Sequence, residues 1–130
     1  MRINRGREKG TRSKRRSGTF TGTVWGDEVL TDPNGKVTVG SVFFEPGART
    51  YWHRHTEGQV LYVTHGQGRV RSRDGSGGTI AAGDVVHIAP GEEHWHGAGP
   101  DSFMLHHAIT IGKSDWLTEV SDEEYNKAFT

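Results

Sequence analysis

Short extended segments, each closed by a turn, constrain the fold of this chain more than any other feature of its sequence. Nineteen glycines stand among the 130 residues, and alternating runs include "KVTVGSVFF" (36–44), "QVLYVTHG" (59–66), "GRVRSRDG" (68–75), "TIAAG" (79–83), "DVVHIAPG" (84–91) and "SFMLHHAITI" (102–111). Because no helical pattern separates these runs, the sequence predicts an all-β sandwich or barrel. One short helix is expected at the C-terminal end, where Ser121 and Glu124 form a capping box before an amphipathic stretch.

The charge of the chain is unevenly distributed although its formal net charge is zero. Residues 2–16 hold eight of the sixteen basic residues and a single acid, Glu8. We therefore expect a basic, flexible N-terminal arm over residues 1–18 and one domain over residues 19–130. Such an arm suits an anionic surface or nucleic acid, but the lack of interleaved aromatics and of a known reading module argues against nucleic acid as a partner. The simpler interpretation is a solubilising tail, or one packed against the acidic body of its own or a partner chain.

The sequence predicts a cytoplasmic protein with no membrane partner. No apolar run approaches the length of a membrane span, and the N-terminal residues lack the apolar core of a secretory leader. The absence of cysteine is typical of a reducing compartment. It also means that any transition-metal site must use histidine, carboxylate or amide ligands.

Two pairs of histidines form the most informative pattern in the chain. His53 and His55 stand two positions apart in an extended segment, so both rings project from one face. Gln59 follows the turn "TEG", and the returning strand can bring its side chain beside them. "PGEEHWHG" supplies a second pair, His94 and His96. One such pair is often incidental, but two pairs beside glycine turns in a small β protein indicate a metal site.

A family resemblance rests on the spacing of these residues. "GARTYWHRHTEGQVLYVTHG" (47–66) is similar to the first motif of the cupins, with Gln59 at the position of a glutamate, and "GDVVHIAPGEEHWHGA" (83–98) resembles the second motif. Ala89 and Ala98 depart from a proline and an asparagine of that second motif. The resemblance spans residues 36–111 and implies a cupin jelly-roll barrel (double-stranded β-helix). It further implies one divalent metal with these ligands: His53, His55, Gln59 and His94.

More narrowly, the chain resembles small single-domain bacterial cupins that include the manganese-dependent hydroxynitrile lyases. That resemblance implies Mn²⁺ first and Fe²⁺ next as the metal, and Ni²⁺, Co²⁺ or Zn²⁺ also suit such ligands. It implies pocket positions for His96 and His106. The resemblance also implies that Gly40, Val42 and Thr110 line the substrate pocket. Leu61 and Met104 are further candidates for that pocket, but ordinary barrel filling is the preferred interpretation for Val42, Leu61 and Met104.

The proposed ligands favour Lewis-acid chemistry. Three imidazoles and an amide are all neutral, so they leave the full charge of a divalent ion and disfavour oxidation to a trivalent state. His96 and His106 are then the predicted acid–base residues, with pKa values near working pH, for cleaving or forming a cyanohydrin C–C bond. The alternative role for both is a hydrogen bond that orients the ligands.

Two other functions stay open at this stage. The first is a manganese- or iron-dependent cupin dioxygenase, and the second is a cupin that binds a small molecule without turnover. A homodimer or homotetramer is expected, because exposed strand edges need covering. By alternation, Trp52 and Trp95 point away from the metal and are expected to pack between sheets or subunits.

Overall fold

The computed structural model describes residues 1–6 and 12–129 of the chain. Its strands are β1 (Lys14–Arg16), β2 (Phe20–Thr21), β3 (Val24–Thr31), β4 (Val37–Phe44), β5 (Arg49–Thr50), β6 (His53–His55), β7 (Gln59–Ser72), β8 (Gly77–Ala81), β9 (Val85–Ile88), β10 (His94–Ala98), β11 (Met104–Ile111) and β12 (Ser114–Trp116). The helix α1 (Asp122–Asn126) follows them. The all-β prediction with a short C-terminal helix is therefore confirmed.

Strand β7 joins the two halves of the barrel. Its first part, residues 59–66, pairs with β11 and β9 in a sheet that continues through β4 and β3 to β1. Its second part, residues 67–72, pairs with β8 and β10, and β10 in turn pairs with β5 and β6. Every pairing is antiparallel, and together they form a nearly closed barrel. Residues 59–66 and 68–75 were expected as separate runs, but residues 59–72 form one continuous strand.

A β-bulge changes which residues of β7 face the interior. Leu105 pairs with His65, whereas the next residue, His106, pairs with Val63, so Thr64 is an extra residue on β7. A strand without a bulge would place His65 on the same face as Gln59. In the structure Gln59 is buried and His65 is exposed. Simple alternation along "QVLYVTHG" predicts one shared face for Gln59, Leu61, Val63 and His65, and that prediction is wrong at His65.

Two apolar clusters lie on opposite sides of the β10 sheet. The first fills one part of the barrel and comprises Val24, Phe44, Ala48, Val63, Val70, Ile80, Ala98 and Met104. The second consists of Trp52, Trp95, Val120 and Tyr125. Both tryptophans do point away from the histidines. Their partners, however, are the C-terminal residues of the same chain, so the expected packing between sheets or subunits is replaced by packing beneath the C-terminal segment.

The C-terminal helix begins with the capping box predicted from the sequence. The Ser121 hydroxyl accepts the Glu124 N–H, and the Glu124 carboxylate accepts the Ser121 N–H. Arg49, almost fully buried, ties the helix to the barrel through its ion pair with Asp122 at 2.7 Å. Its guanidinium also lies 4.7 Å from the ring centroid of Tyr125. These contacts hold the C-terminal segment against the outer face of the β10 sheet.

The basic N-terminal region contains one strand at its end. Lys14–Arg16 forms β1 and pairs along the edge of β3. The side chains of Arg2 and Asn4 donate to backbone carbonyls near the far end of β3. Residues 7–11 of the predicted arm lie outside the described residues. Flexibility of the arm in solution stays a prediction, but its last part has a defined position in the sheet.

Within the described ranges 1–6 and 12–129, the structure contains no helix long and apolar enough to cross a membrane.

Candidate metal centre

Strand β6 carries the first two histidines into the barrel. His53 and His55 are buried, whereas Arg54 between them is exposed and pairs with Asp115 at 2.7 Å. This alternation is the period of two that a β-strand imposes on its side chains. The ring centroids of His53 and His55 lie 5.0 Å apart. The two imidazoles are therefore close enough to bind the same ion inside the barrel.

A glycine turn brings Gln59 back beside these histidines. Gly58 has φ of 98°, a left-handed conformation that residues with a side chain rarely adopt. A Cβ atom on Gly58 would also lie 2.8 Å from the carbonyl oxygen of Ile88. Gln59 is buried as the first residue of β7, and its Nε2 donates to Thr110 Oγ1 at 3.0 Å. That bond directs the amide oxygen of Gln59 towards the histidines.

Strand β10, which pairs with β6, supplies His94. His94 pairs directly with His53 of β6, and their ring centroids lie 4.2 Å apart. The His94 Nε2 atom lies 3.2 Å from Gln59 Oε1. The structure thus brings together the four residues predicted as metal ligands, although they lie up to 41 positions apart in the chain (94 minus 53).

Hydrogen bonds at the Nδ1 atoms determine the tautomers of these histidines. His53 Nδ1 lies 2.8 Å from the Tyr51 carbonyl oxygen, and His94 Nδ1 lies 2.9 Å from the Glu92 carbonyl oxygen. A carbonyl oxygen only accepts, so both Nδ1 atoms must carry the proton. In the neutral rings, each Nε2 atom is then left with a lone pair. This is the arrangement that metal-binding histidines adopt.

The contact between Gln59 and His94 tests whether this cluster suits a cation. Because His94 donates through Nδ1, its Nε2 is an acceptor, and Gln59 Oε1 is an acceptor as well. Two acceptors at 3.2 Å cannot bond to each other. A positive ion that both atoms contact would resolve this conflict, and so would a turned-over amide that accepts from the Thr110 hydroxyl and donates to His94. His55 Nε2 is likewise buried and has no hydrogen-bond partner in the described part of the chain. The residues therefore fit a divalent metal ion.

The same cluster includes one histidine that the sequence assigned to another role. One ring nitrogen from each of His53, His94 and His96 lies within 4.8 Å of the others. Ring distances do not distinguish His55 from His96, because their centroids lie 5.0 and 5.2 Å from that of His53. His96 therefore stands close enough to touch the metal or a molecule bound to it. The ligand set of two histidines, Gln59 and His94 stays a prediction.

His96 is bonded to the second predicted acid–base residue. His96 Nδ1 lies 3.0 Å from His106 Nε2, and both rings are buried. The outer nitrogens of this pair, His96 Nε2 and His106 Nδ1, are buried without a hydrogen-bond partner among residues 1–6 and 12–129. The two histidines therefore form a buried, hydrogen-bonded pair in contact with the proposed metal ligands.

Burial keeps all of these histidines neutral at neutral pH. Desolvation lowers the pKa of His106 to about 4 and that of His55 to about 4. Burial, followed by the nearby His106, holds the pKa of His96 well below its ordinary value. Burial also lowers the pKa values of His53 and His94. The expectation that His96 and His106 titrate near working pH is therefore wrong, because desolvation outweighs every interaction that would stabilise their charged forms.

The predicted pocket residues lie on the inner face of the sheet around this pair. In the ladder, His106 pairs with Val42, and Thr110 pairs with Gln59. A Cβ atom on Gly40 would contact only the Asp27 carbonyl oxygen, at 3.6 Å, so the glycine adds no obstruction. Leu61 and Met104 are fully buried, and Met104 belongs to the first apolar cluster. Their contact with a substrate stays a prediction, whereas Thr110 has a definite role as the acceptor for Gln59.

Two residues at the site were not assigned a role from the sequence. The Ser114 hydroxyl lies 2.8 Å from His55 Nδ1, and the ring of Trp116 stacks on that of His53 at 4.5 Å between centroids. Both belong to β12, which pairs with β6. The segment "GKSDWLTEV" (112–120) shows no sustained alternation that would have placed it beside the histidines.

The barrel and its histidine cluster define a metal-binding cupin. The Cupin domain family matches residues 40–106, which is more than half of the chain, so the chain belongs to the cupin family. One curated relative, the (R)-mandelonitrile lyase of Granulicella tundricola, is 48% identical over 113 residues, covering 83% of this chain and 86% of the relative. This relative supports an enzymatic function for the chain.

Solved structures agree with the fold. A cupin-like protein from Thermotoga maritima is 43% identical, with a TM-score of 0.84, over 88% of this chain and 92% of that protein. A predicted oxalate decarboxylase from the same organism has a TM-score of 0.74 at 23% identity, over 86% of this chain and all of the other. At that lower identity, the likeness concerns the fold alone.

Proposed function

We propose that this chain is a metal-dependent lyase that breaks or forms the C–C bond of an aromatic cyanohydrin, with Mn²⁺ as its metal. The observation that carries the proposal is the pair of buried imidazoles, His53 and His94, whose Nε2 atoms keep their lone pairs beside Gln59. Similarity to the (R)-mandelonitrile lyase supports the choice of reaction and of an aromatic cyanohydrin as substrate. The amide oxygen among the donors favours a harder ion such as Mn²⁺.

The chemistry needs a positive centre and a proton acceptor, but no redox change. A bound divalent ion supplies Lewis acidity, and neutral ligands leave its charge undiminished. His53, His55, Gln59 and His94 would hold that ion. A carboxylate in place of Gln59 would cancel part of the charge, so the glutamine favours Lewis-acid chemistry over metal oxidation.

The His96–His106 pair suits the transfer of one proton. When both rings are neutral, one donates to the other through the 3.0 Å bond between them. Of the two outer nitrogens, one then carries a proton and the other has a lone pair. The lone-pair nitrogen accepts a proton from the substrate. Because burial lowers the pKa of both rings, the protonated pair is a stronger acid than free imidazolium and readily returns the proton.

The cleavage reaction balances with these residues alone as the proton carriers. The pair takes the hydroxyl proton of the cyanohydrin, and the O–H electron pair forms the carbonyl double bond. The electrons of the C–C bond leave with cyanide, which then takes the proton from the pair. The products are an aromatic aldehyde and hydrogen cyanide. The reverse sequence forms the cyanohydrin.

Elemental analysis first identifies the metal in the purified protein, and a cleavage assay then measures its activity. The purified chain, loaded with Mn²⁺, is expected to release benzaldehyde from (R)-mandelonitrile equally well with and without oxygen. His96→Ala should lower the rate by about 10²- to 10⁴-fold. His87→Ala, at an exposed histidine on β9, is the matched control and should leave it unchanged. Full activity of the double variant His53→Ala/His55→Ala, or a strict requirement for oxygen, would refute the proposal.

A further inference from the structure

Strand β12 lies against the strand that carries the first two predicted ligands. Ser114 pairs with His55 and Trp116 pairs with His53 in an antiparallel ladder. The backbone of Trp52 continues this pairing, because its N–H donates to Thr118 and its carbonyl accepts from Leu117. The C-terminal segment is thus bonded along the whole length of β6.

His55 depends on β12 for the acceptor at its Nδ1 atom. His53 and His94 each donate to the carbonyl oxygen two residues earlier in the chain, in the segment directly before its strand. For His55, the residue two positions earlier is His53, which is paired in the sheet on both sides. His55 Nδ1 instead contacts the Ser114 hydroxyl at 2.8 Å. With that hydroxyl as acceptor, the proton stays on Nδ1 and the buried Nε2 keeps its lone pair.

Trp116 restrains the other ligand of β6. Its indole ring stacks on the His53 imidazole at 4.5 Å between centroids, with the planes 28° apart. Phe20 also packs against the indole ring, with centroids 5.7 Å apart. The His53 ring is therefore held between a bond at Nδ1 and an aromatic face, which limits its rotation.

We propose that Ser114 and Trp116 are positioning residues for the metal ligands His55 and His53, so that β12 sets the metal affinity of the site. The inference rests on the proposed metal-dependent function. Removing the acceptor frees the His55 ring to rotate or to change tautomer, and partners of this kind are typically worth about 10- to 100-fold in metal affinity. Neither residue needs to touch the substrate.

The first test measures Mn²⁺ binding to the full chain by calorimetric titration. Ser114→Ala is expected to weaken binding by about 10- to 100-fold, and Ser114→Thr should restore it, because threonine keeps the hydroxyl and suits a strand. Ser102→Ala is the matched control, since its hydroxyl contacts only the Phe103 carbonyl oxygen, at 2.8 Å, among the described residues. Urea unfolding of the metal-free protein separates this effect from a loss of stability, because the three variants should unfold near the wild-type midpoint.

The second test uses two tryptophans with the same exposure. Trp116 and Trp25 are each 38% exposed, but only Trp116 contacts a predicted ligand. Trp116→Leu should weaken Mn²⁺ binding and alter the visible spectrum of the Co²⁺-loaded protein, whereas Trp25→Leu should change neither.

The outcomes separate this inference from the proposed function. If wild-type protein binds Mn²⁺ and cleaves the cyanohydrin, but Ser114→Ala and Trp116→Leu bind Mn²⁺ as tightly, the positioning role is wrong and the function stands. If Ser114→Thr fails to restore the affinity lost in Ser114→Ala, the hydroxyl is not the cause and the inference fails. A wild-type protein that binds no metal overturns both.

Discussion

Acidification of the metal-free protein should destabilise it through its buried histidines. In the folded chain the pKa values of His55 and His106 are lowered to about 4, whereas an unfolded chain restores the ordinary value of about 6.5. The unfolded state therefore binds protons that the folded state excludes. Stability is complete above about pH 6.5 and declines as the pH falls towards 4. Below that value no further loss comes from these two groups.

The size of the effect follows from the two pKa values. Between about pH 7.5 and about pH 5, each of these histidines costs about 2 kcal/mol of unfolding free energy, so the two together cost about 4 kcal/mol. A domain of this size typically has about 5–15 kcal/mol in total. His53, His94 and His96 have lowered pKa values as well and add to the loss. The metal-free protein should therefore lose a large part of its stability within this window.

The assay is urea unfolding at several pH values after removal of metal with a chelator. His106→Gln removes one of the titrating groups, and an amide at this position can still bond to His96. The variant should lose about 2 kcal/mol less than wild type between about pH 7.5 and about pH 5. His65→Gln is the control, because His65 is exposed on the other side of the β7 bulge. Its pH dependence should match that of wild type.

Two results would refute this reasoning. One is a metal-free wild-type protein whose unfolding free energy is constant between about pH 7.5 and about pH 5, since five buried neutral histidines demand a loss there. The other is equal pH dependence of wild type and His106→Gln. Saturating Mn²⁺ should raise stability at neutral pH and make the loss on acidification steeper, because protons and metal compete for the same nitrogens.

Three further predictions concern other parts of the molecule. Gln59→Glu should tighten Mn²⁺ binding by about tenfold or more and slow cyanohydrin cleavage, because a carboxylate adds attraction and cancels charge, as calorimetry and a rate assay would show. Tyr125→Phe should cost about 1–2 kcal/mol in urea unfolding without changing metal affinity, because the buried hydroxyl donates to the Ala98 carbonyl oxygen at 2.7 Å. We also expect a homodimer or homotetramer by sedimentation, since Trp25, Phe103 and Tyr62 leave apolar surface exposed. A stable monomer would contradict that expectation.

The parts of the fold that the sequence predicts are those that depend on local patterns. Alternation in "KVTVGSVFF" corresponds to β4, and the capping box at Ser121 is present as expected. The two histidine pairs converge because each lies in an extended segment, where side chains two positions apart share a face. Local pattern fails at Thr64, because the bulge there depends on the register of β11 against β7.

The pKa values of the site could not be predicted from residue types. His96 and His106 were expected to titrate near working pH because free imidazole does so. In the folded chain burial lowers both pKa values, and burial depends on strands β4, β7, β10 and β11 closing around the two rings. Desolvation of this kind is a property of the assembled barrel, so the pKa shifts cannot be predicted from any short stretch of sequence.

The orientation of the predicted ligands also depends partly on neighbouring residues and partly on distant ones. His53 and His94 take their Nδ1 acceptors from carbonyls two residues earlier, so the segment directly before each strand orients the ring. His55 takes its acceptor from Ser114, 59 positions further along the chain. A motif of histidines with correct spacing therefore determines where the lone pairs of two ligands point, but not the third. We therefore expect a cupin that keeps "HRH" but replaces Ser114 by a residue without a hydroxyl to retain the histidine motif and bind its metal more weakly, because the His55 ring would no longer have its external acceptor.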